Sequence, residues 1–384
     1  MESGDGVEGG VTFVFDRVMH YHISMLRSVE QQLALAGVPM RVLSALDAKG
    51  SVGRVPTRDK AVERHDYFRL TERLVGGYQL RYQHGLIRRL NAENPKVVVS
   101  MCHSGTLSEW SMLCWARKRR IRTVAWQCGY EYNPGLIKRV ALSRFMPLFD
   151  FHLCYHTNAQ KYAVRHGARL EQTLVMHNTI DEGRIVPGDA ARAKSELTAR
   201  FPLLLNKKVV LYVGAVLEEK RLESIFAALA LLGRTDTMFV LVGDGPHLPV
   251  LKARYTTRTD WISVGNLVQG VGAFFDAADV FVLPGTGGLA INEAMAHRLP
   301  VVSGYADGSA DDLVLDGATG FRLREGTPQE LAAKVAALLD DPKLARRMGE
   351  RGEAAVRGEL SFKRFVDRVV GVLVQQHKIA KETE

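Results

Sequence analysis

One acidic residue, Glu293, lies in a largely apolar segment that contains a glycine-rich turn, VLPGTGGLAINEAMAHRLPVV. A strand-like run ends in Pro-Gly-Thr-Gly-Gly, and a helix-like stretch that carries the carboxylate follows directly. Glu293 then falls about one and a half turns into that helix. A carboxylate placed there could accept two hydrogen bonds from a ribose diol.

Other glycine turns follow apolar runs in the same half of the chain. Glycine lets a backbone approach a ligand closely, and the free N–H groups at a helix start attract anions. Lys220, six residues after Gly214, could add a positive charge for a diphosphate. Each turn alone is explained as well by an ordinary structural turn, but together they predict a nucleotide site. The candidate donor-binding residues are Gly214, Gly243, Asp244, Gly245, Asn266, Thr286, Gly287, Gly288, Leu289 and Glu293.

Strand and helix patterns alternate through both halves of the chain and would position these turns. Short apolar runs such as VTFVF and KVVVSM alternate with helix-like stretches of ten or more residues, the pattern of parallel βαβ units. Two such blocks predict two Rossmann-like, doubly wound domains, over residues 1–180 and 181–360. A final helix within 361–384 is expected to pack back on the first domain. A polar stretch beginning at Thr179 is interpreted as a linker.

Ligands of such sheets bind beyond the carboxyl ends of the strands, so we expect the active site in a cleft between the domains.

Length and composition agree with an ordinary globular protein. The chain has 384 residues, of which 46% are hydrophobic and 24% charged. No apolar run approaches the roughly 18–20 residues that span a bilayer, and the opening MESGDGVEGG is unlike a secretory signal. The four cysteines form no Cys-x-x-Cys pair. We therefore expect reduced thiols, no bound metal and a cytoplasmic location.

The net charge of +9 belongs to the first half of the chain. Residues 1–180 hold 25 Lys and Arg against 15 Asp and Glu, whereas residues 181–384 hold 26 against 27. This asymmetry suggests an anionic partner, such as a phosphorylated substrate or the inner face of a membrane on which the protein would be peripheral. The densest basic run, Arg117 to Arg122, is explained equally well as a solvated helix end.

The half from about Val209 to Gly352 resembles the nucleotide-binding domain of glycosyltransferase family 4. These are retaining enzymes with the GT-B architecture of two Rossmann-like domains facing across a cleft. The resemblance implies that Glu293 binds the ribose, that Lys220 binds the diphosphate, and that the amides of Gly288 and Leu289 lie over the phosphates. The matching segments are Gly214 with Lys220, GDGP, ISVGNL, AADVFVLPG, GGLAINEAMAHRLPVV and DDLVLDGATGF.

Two positions depart from the family pattern. Ala215 stands where an arginine usually helps to neutralise the diphosphate, and Gly285 where an acid usually contacts the donor sugar. The loop from Pro284 is also about three residues shorter than usual. Sugar recognition would then fall to the backbone of Thr286 to Gly288 or to the other domain. The departure indicates a subgroup with a shortened Pro-Gly-x-Gly-Gly-Leu-Ala loop.

The first half resembles the family loosely, as expected for the acceptor side. The histidine that contacts the sugar in the family has two possible counterparts, His103 by chemistry and Gln127 by position. A lone histidine is more often a packed residue than a catalytic one. Further acceptor-side candidates are Gly129, Tyr130, His20 and His22.

The resemblance implies a retaining transfer from a nucleotide sugar to an acceptor hydroxyl, with Lys220, His103 and Gln127 as the catalytic candidates. UDP-sugars are the preferred donors, with GDP- and dTDP-sugars as alternatives. The acceptor would be a carbohydrate or a lipid-linked sugar in bacterial polysaccharide or glycolipid assembly, or else a soluble small molecule. No Asp-x-Asp motif is present, so we expect metal-independent activity without a cofactor.

Four other classes of protein are alternatives to a glycosyltransferase. A nicotinamide oxidoreductase would need a Gly-x-Gly-x-x-Gly turn after the first strand, which VTFVFDRVMHYH lacks. A nucleotide-sugar epimerase or hydrolase could share the fold. A non-catalytic nucleotide-sugar-binding protein is suggested by Ala215 and Gly285. Nucleic-acid binding is disfavoured because the basic residues are not interleaved with an aromatic recognition motif.

Overall fold

The computed structural model describes residues 9–45, 60–127, 129, 135–267, 269–304 and 308–383. The chain divides into two compact units. The first domain comprises Met1–His177 together with Phe365–Glu384, and the second comprises Asn178–Arg364.

The first domain is built on a seven-stranded parallel sheet with the order β3-β2-β1-β6-β7-β8-β9. Its central strands are buried, β-branched or aromatic runs, as in a sheet covered on both faces. The elements are β1 (Val11–Phe15), α1 (His20–Leu35), β2 (Met40–Ala45), β3 (His65–Phe68), β4 (Leu70–Val75), β5 (Tyr78–Gln83), α2 (Leu86–Glu93), β6 (Val97–Ser100), α3 (Leu107–Lys118), β7 (Arg122–Gln127), α4 (Leu136–Phe145), β8 (Phe151–Cys154), α5 (Thr157–Arg165) and β9 (Thr173–Val175).

The antiparallel hairpin of β4 and β5 is an element that the sequence analysis missed. Gly76 and Gly77 form its two-residue turn, both with positive φ (55° and 82°), which is the geometry of a tight hairpin turn. The hairpin packs on the loop after β6, because a Cβ at Gly105 would lie 2.5 Å from the carbonyl oxygen of Gln79. It therefore covers the carboxyl end of a central strand.

The second domain has a six-stranded parallel sheet with the order β12-β11-β10-β13-β14-β15. The order reverses at β10, so the loops after β10 and β13 open at the switch point of the sheet. The elements are α6 (Ala190–Arg200), β10 (Lys208–Val213), α7 (Glu223–Leu232), β11 (Thr237–Val242), α8 (Leu248–Arg254), β12 (Trp261–Gly265), α9 (Gly272–Ala277), β13 (Val280–Leu283), α10 (Leu289–Ala296), β14 (Val301–Ser303), α11 (Ser309–Leu313), β15 (Gly320–Arg322), α12 (Pro328–Asp340) and α13 (Pro342–Arg357).

The interpretation of residues 179–194 as a linker is wrong at its end. Helix α6 begins there, because the Asp189 carboxylate accepts a hydrogen bond from the backbone N–H of Arg192 (2.7 Å). Its apolar residues Ala193 and Leu197 are buried in the core of the second domain.

The last helix, α14 (Phe362–Glu382), joins the first domain from residue 365 onward. Phe365 packs edge-on against the buried Trp126 with ring centroids 6.2 Å apart. The Arg122 side chain donates to Gln376 (3.0 Å), and the His377 ring donates to the carbonyl oxygen of Gly9 (2.6 Å). The end of the chain therefore completes the core of the first domain.

None of the helices in the described part of the chain combines the length and the hydrophobicity needed to cross a bilayer.

We expect Phe365→Ala to lower the free energy of unfolding of the first domain by about 3–5 kcal/mol, because it leaves a cavity beside Trp126. Chemical denaturation followed by tryptophan fluorescence measures this loss. Gln375→Ala, an exposed position of the same helix, should change stability by less than about 0.5 kcal/mol. Equal effects of the two substitutions would contradict the assignment of α14 to this core.

Candidate functional site

Lys220 lies at the end of a single 3-10 turn, Glu218–Lys220, that follows β10 and Gly214. The side chain is buried, and its Nζ donates to the carbonyl oxygen of Thr286 (2.6 Å). The carboxylate of Glu219 lies 3.9 Å from Nζ and is largely exposed. The turn therefore holds a positive charge directly beneath the glycine-rich loop after β13.

Gly285 has no room for a side chain. A Cβ there would lie 2.2 Å from the carbonyl oxygen of Glu219 and 2.5 Å from the carbonyl carbon of Lys220. The N–H of Thr286 donates to the same Glu219 carbonyl (3.2 Å). The loop after β13 therefore packs directly on the turn Glu218–Lys220, which we call the lysine turn. Glycine at position 285 has a steric cause.

The loop continues into α10 with its polar groups available to a ligand. The Thr286 hydroxyl is buried and has no hydrogen-bond partner among the described residues. Gly287 has φ = +136°, and a Cβ on it would approach Lys220 Nζ to 3.3 Å. Gly288 precedes Leu289 at the start of α10 without a side-chain cap. Backbone donors, a hydroxyl and the ammonium of Lys220 thus meet at one helix start.

Glu293 lies in α10, and no side chain in the described part of the chain donates a hydrogen bond to its carboxylate. Burial raises the pKa of Glu293, and the charge of His297 one turn later opposes this shift only in part. The imidazole of His297 is itself held by Asp276 (2.7 Å). A half-buried carboxylate without a donor is costly for the free protein, which is typical of a group that is satisfied by a ligand.

The other glycines of the predicted nucleotide site pack loops together. A Cβ on Gly243 would lie 1.9 Å from the carbonyl oxygen of Gly214, and one on Gly245 would lie 2.3 Å from that of Val216. The exposed Asp244 uses its carboxylate to accept from the Gly245 N–H (2.7 Å). Asn266 is exposed after β12. For Gly243 and Gly245 the geometry gives a structural role.

A pocket of about 340 Å³ lies within the first domain at the carboxyl ends of β6 and β7. His103, Gln127 and Gly129 all line it, so the two alternative counterparts of the family histidine face the same space. Gln127 donates to the Gly129 carbonyl (2.7 Å), and its Oε1 is buried without a partner among the described residues. The structure thus brings the two candidates together instead of selecting one.

His103 is held from behind by two residues that the sequence analysis missed, Asp16 and Arg81. The Arg81 guanidinium donates to Asp16 (3.0 Å). If Nδ1 of His103 carries no hydrogen it accepts from Arg81 (2.8 Å), and if it carries one it donates to Asp16 (3.2 Å). Burial alone would raise the pKa of Asp16, but the hydrogen bond and charge of His103 and the charge of Arg81 hold it below its ordinary value.

Glu109 holds the backbone of the loop that carries His103. It is fully buried in α3, and its Oε2 accepts from the backbone N–H of His103 (2.9 Å). Burial, reinforced by repulsion from Asp16, raises the pKa of Glu109 well above its usual value. Glu109 therefore positions the backbone of His103.

The sequence contained a signal for only one of the missed residues. Asp16 directly follows β1, where polar residues of a parallel sheet face ligands. Arg81 reaches the site from β5, and without the hairpin there was no reason to place it near His103.

The remaining acceptor-side candidates are less informative. His22 is buried in α1, where its Nδ1 accepts from the backbone N–H of Met19 (3.2 Å) and its ring packs against Phe15. His20 is the first residue of α1. Tyr130 lies outside the described residues.

Within the described residues, no group of three or more His, Cys, Asp or Glu side chains is placed to hold a metal ion. The expectation of metal-independent activity stays a prediction.

Residues 194–355 match the family model described as Glycosyl transferases group 1. Alpha-D-kanosaminyltransferase from Streptomyces kanamyceticus is 31% identical over 48% of this chain and 50% of its own length. The GDP-mannose-dependent alpha-(1-6)-phosphatidylinositol monomannoside mannosyltransferase of Mycolicibacterium smegmatis is 31% identical over 45% of this chain and 48% of its own. The chain thus spans about half the length of these relatives.

The structure of Anabaena Alr3699/HepE in complex with UDP superimposes with a TM-score of 0.73 and 16% identity, covering 95% of this chain and 100% of the Anabaena chain. This similarity and the two doubly wound sheets confirm the predicted GT-B fold class. The family match confirms the resemblance that the motifs of the second half indicated.

Gly285→Ala should destabilise the second domain by about 1–3 kcal/mol, because the methyl group would collide with the backbone of the lysine turn. Thermal unfolding measures this effect. Gly371→Ala is the matched control, since a Cβ there meets nothing within 4 Å and the position is helical. The control should be neutral or stabilising. A Gly285→Ala protein as stable as the wild type would show that the loop does not rest on the lysine turn.

Glu293→Gln should stabilise the free protein at neutral pH. A carboxyl whose pKa is raised by folding contributes stability that is present below its unfolded pKa and is lost as pH rises through the folded value. The glutamine side chain does not ionise, so the variant does not lose this stability as the pH rises. Its melting temperature should therefore exceed that of the wild type at pH 7 and converge with it near pH 4.

Thermal unfolding between pH 4 and pH 8 makes the comparison. The exposed Glu325→Gln serves as control and should show no such pH dependence. A Glu293→Gln protein that is less stable than the wild type at pH 7 would mean that the carboxylate has a partner in the free protein.

Proposed function

Because residues 194–355 match the family model described as Glycosyl transferases group 1, we propose that this protein transfers a sugar from a nucleotide-sugar donor to an acceptor hydroxyl. The observation that carries the proposal is the pairing, in the second domain, of an unpartnered half-buried carboxylate, Glu293, with a buried ammonium, Lys220. The start of α10 lies between them in the sequence and has no side-chain cap.

These groups suit the two halves of a nucleoside diphosphate. The Glu293 carboxylate accepts hydrogen bonds from the ribose hydroxyls, which supply the donors that the free protein lacks. The backbone N–H groups of Gly288 and Leu289 and the Thr286 hydroxyl donate to the phosphates.

Lys220 contributes to the reaction step itself. Departure of the nucleoside diphosphate builds negative charge on its terminal phosphate, and a fixed ammonium and oriented amides stabilise that charge without reorganisation. The Thr286 carbonyl keeps Lys220 Nζ in place in the free protein. Since Ala215 replaces the usual arginine, Lys220 carries the side-chain part of this stabilisation.

UDP is the nucleotide that we propose first, with GDP and dTDP as alternatives. The support is the shared fold with Anabaena Alr3699/HepE, which was solved with UDP, whereas the mycobacterial relative uses GDP-mannose according to its name. We propose that the pocket of the first domain receives the acceptor and the transferred sugar, with His103 and Gln127 contacting the sugar.

Retention of the anomeric configuration, without a metal ion, completes the proposal. A double displacement would need a carboxylate nucleophile, but the described residues that line the pocket include no Asp or Glu. Asp16 is engaged by Arg81 and His103. The proposed route is therefore attack of the acceptor from the leaving-group side, with the departing phosphate taking the acceptor proton.

We expect nucleoside diphosphate to be released from a UDP-sugar only when an acceptor is present. Lys220→Ala should lower this turnover about 100-fold or more, because charge on the leaving group is no longer neutralised. Lys207→Ala is the matched control, since Lys207 also donates to a backbone carbonyl, that of Thr235, far from α10 in sequence. The control should keep wild-type turnover.

Other outcomes separate the rival functions. Release without acceptor would indicate a hydrolase, and binding of UDP-sugars without turnover in any donor and acceptor panel would indicate a binding protein. UDP at a free concentration of 100 times its Kd should raise the free energy of unfolding by about 2.7 kcal/mol. The Glu293→Gln substitution should abolish this increase. Loss of turnover in EDTA would overturn the metal-free route.

A further inference from the structure

Five apolar side chains on two neighbouring elements of the first domain are exposed. They lie at the tip of the β4–β5 hairpin and on the outer side of α4, and each is between 44% and 76% exposed. We call this surface the apolar patch; it consists of Leu74, Val75, Leu136, Ile137 and Val140. Leu142 and Phe145 of the same helix are buried, so α4 is anchored by one side and presents apolar residues on the other.

Tyr78 joins the two parts of the apolar patch. It pairs with Val75 across the hairpin turn. A Cβ on Gly135, directly before α4, would lie 3.0 Å from its hydroxyl, and the Nζ of Lys138 lies 5.9 Å from its ring centroid. The hairpin tip and the start of α4 are therefore adjacent, and their exposed apolar residues lie in one region of the first domain.

Among the described residues of the hairpin tip and α4, the charged side chains without an ion-pair partner are all basic. The acid of β4, Glu72, is ion-paired. Arg73, Arg139 and Arg144 are exposed and form no ion pair with other described residues. Residues 73–83 and 135–145 contain no Asp or Glu. Exposed apolar side chains among unpaired cations are the combination that binds the interface of an anionic bilayer. A symmetric contact with a second copy would instead bring these like charges together.

The same elements line the pocket of the first domain. Gln79 of β5 and Lys138 and Leu142 of α4 contribute to its wall. Arg81 fixes the hairpin to Asp16 and His103 at that pocket. A surface held by these elements would therefore hold the pocket at a fixed distance from whatever the apolar patch binds.

We propose that the apolar patch docks this protein on an anionic lipid surface and that the acceptor is a hydroxyl group carried by a membrane lipid. The second part rests on the proposed function, whereas the first does not. The basic run Arg117 to Arg122 is a separate feature: it begins in the last turn of α3, and its Arg122 is paired with Asp150 (2.8 Å).

Co-sedimentation of the full chain with vesicles tests the docking. Vesicles of phosphatidylcholine with about one third phosphatidylglycerol should bind the protein at least about tenfold more strongly than phosphatidylcholine alone, and this preference should fall at high salt. Leu136→Ser combined with Ile137→Ser should weaken binding about tenfold or more. Leu74→Ser combined with Val75→Ser, on the other element, should act in the same direction.

Two controls accompany these variants. Leu203→Ser with Leu205→Ser removes two equally exposed apolar side chains from the second domain and should leave vesicle binding unchanged. Arg117→Gln with Lys118→Gln removes charge from the end of α3 and should weaken binding less than about threefold. The stabilisation by UDP should be the same in all four variants as in the wild type.

Absence of vesicle binding, or equal loss in the Leu203 and Leu205 control, would overturn the docking proposal. So would a wild-type dimer that dissociates in the Leu136 and Ile137 variant, since a second copy would then cover the apolar patch. In each case an intact UDP response would leave the proposed function standing. A wild-type protein that binds vesicles but is stabilised by none of UDP, GDP and dTDP would overturn the proposed function alone.

Discussion

The backbone contact between the lysine turn and the glycine loop is the constraint on which the second domain's site depends. Two hydrogen bonds join them, from Thr286 to the Glu219 carbonyl and from Lys220 to the Thr286 carbonyl. They place a buried ammonium under a loop whose next residues start α10. The contact is close enough that position 285 must be glycine. One packing requirement thus explains both the location of the positive charge and the absence of a side chain at position 285.

Glu293 shows the energetic cost of a preformed site. Among the described residues no side chain donates a hydrogen bond to this half-buried carboxylate, and burial raises its pKa, so folding loses stability at neutral pH. A neutral residue would serve the free protein better. The cost is understandable if the missing hydrogen bonds come from a ligand, because they then contribute to binding a diol rather than to the fold.

The first domain uses the opposite arrangement. Here Asp16, Arg81 and His103 satisfy one another, and the buried Glu109 holds the backbone of His103. The hairpin supplies Arg81 and thereby ties its own exposed tip to the pocket. A rigid, internally paired cluster suits a wall that positions a substrate, whereas the unpaired carboxylate of the second domain suits direct binding.

Local sequence patterns determined much of this protein. Buried β-branched runs alternating with helix-like stretches predicted two doubly wound domains, and the run Gly287, Gly288, Leu289 with Glu293 predicted a helix start with an acid inside it, because these features depend on neighbours within a few residues. The GT-B architecture was implied by the resemblance to glycosyltransferase family 4. The pair Gly76 and Gly77 is also a local signal for a hairpin turn, but the sequence analysis missed it. The tertiary structure alone decided that Gly285 lies against Glu219, that Arg81 reaches Asp16 from 65 positions away, and that His103 and Gln127 line one pocket. Contacts of this kind join segments distant in the chain, and their distances follow from how the sheets pack rather than from any spacing that the sequence displays.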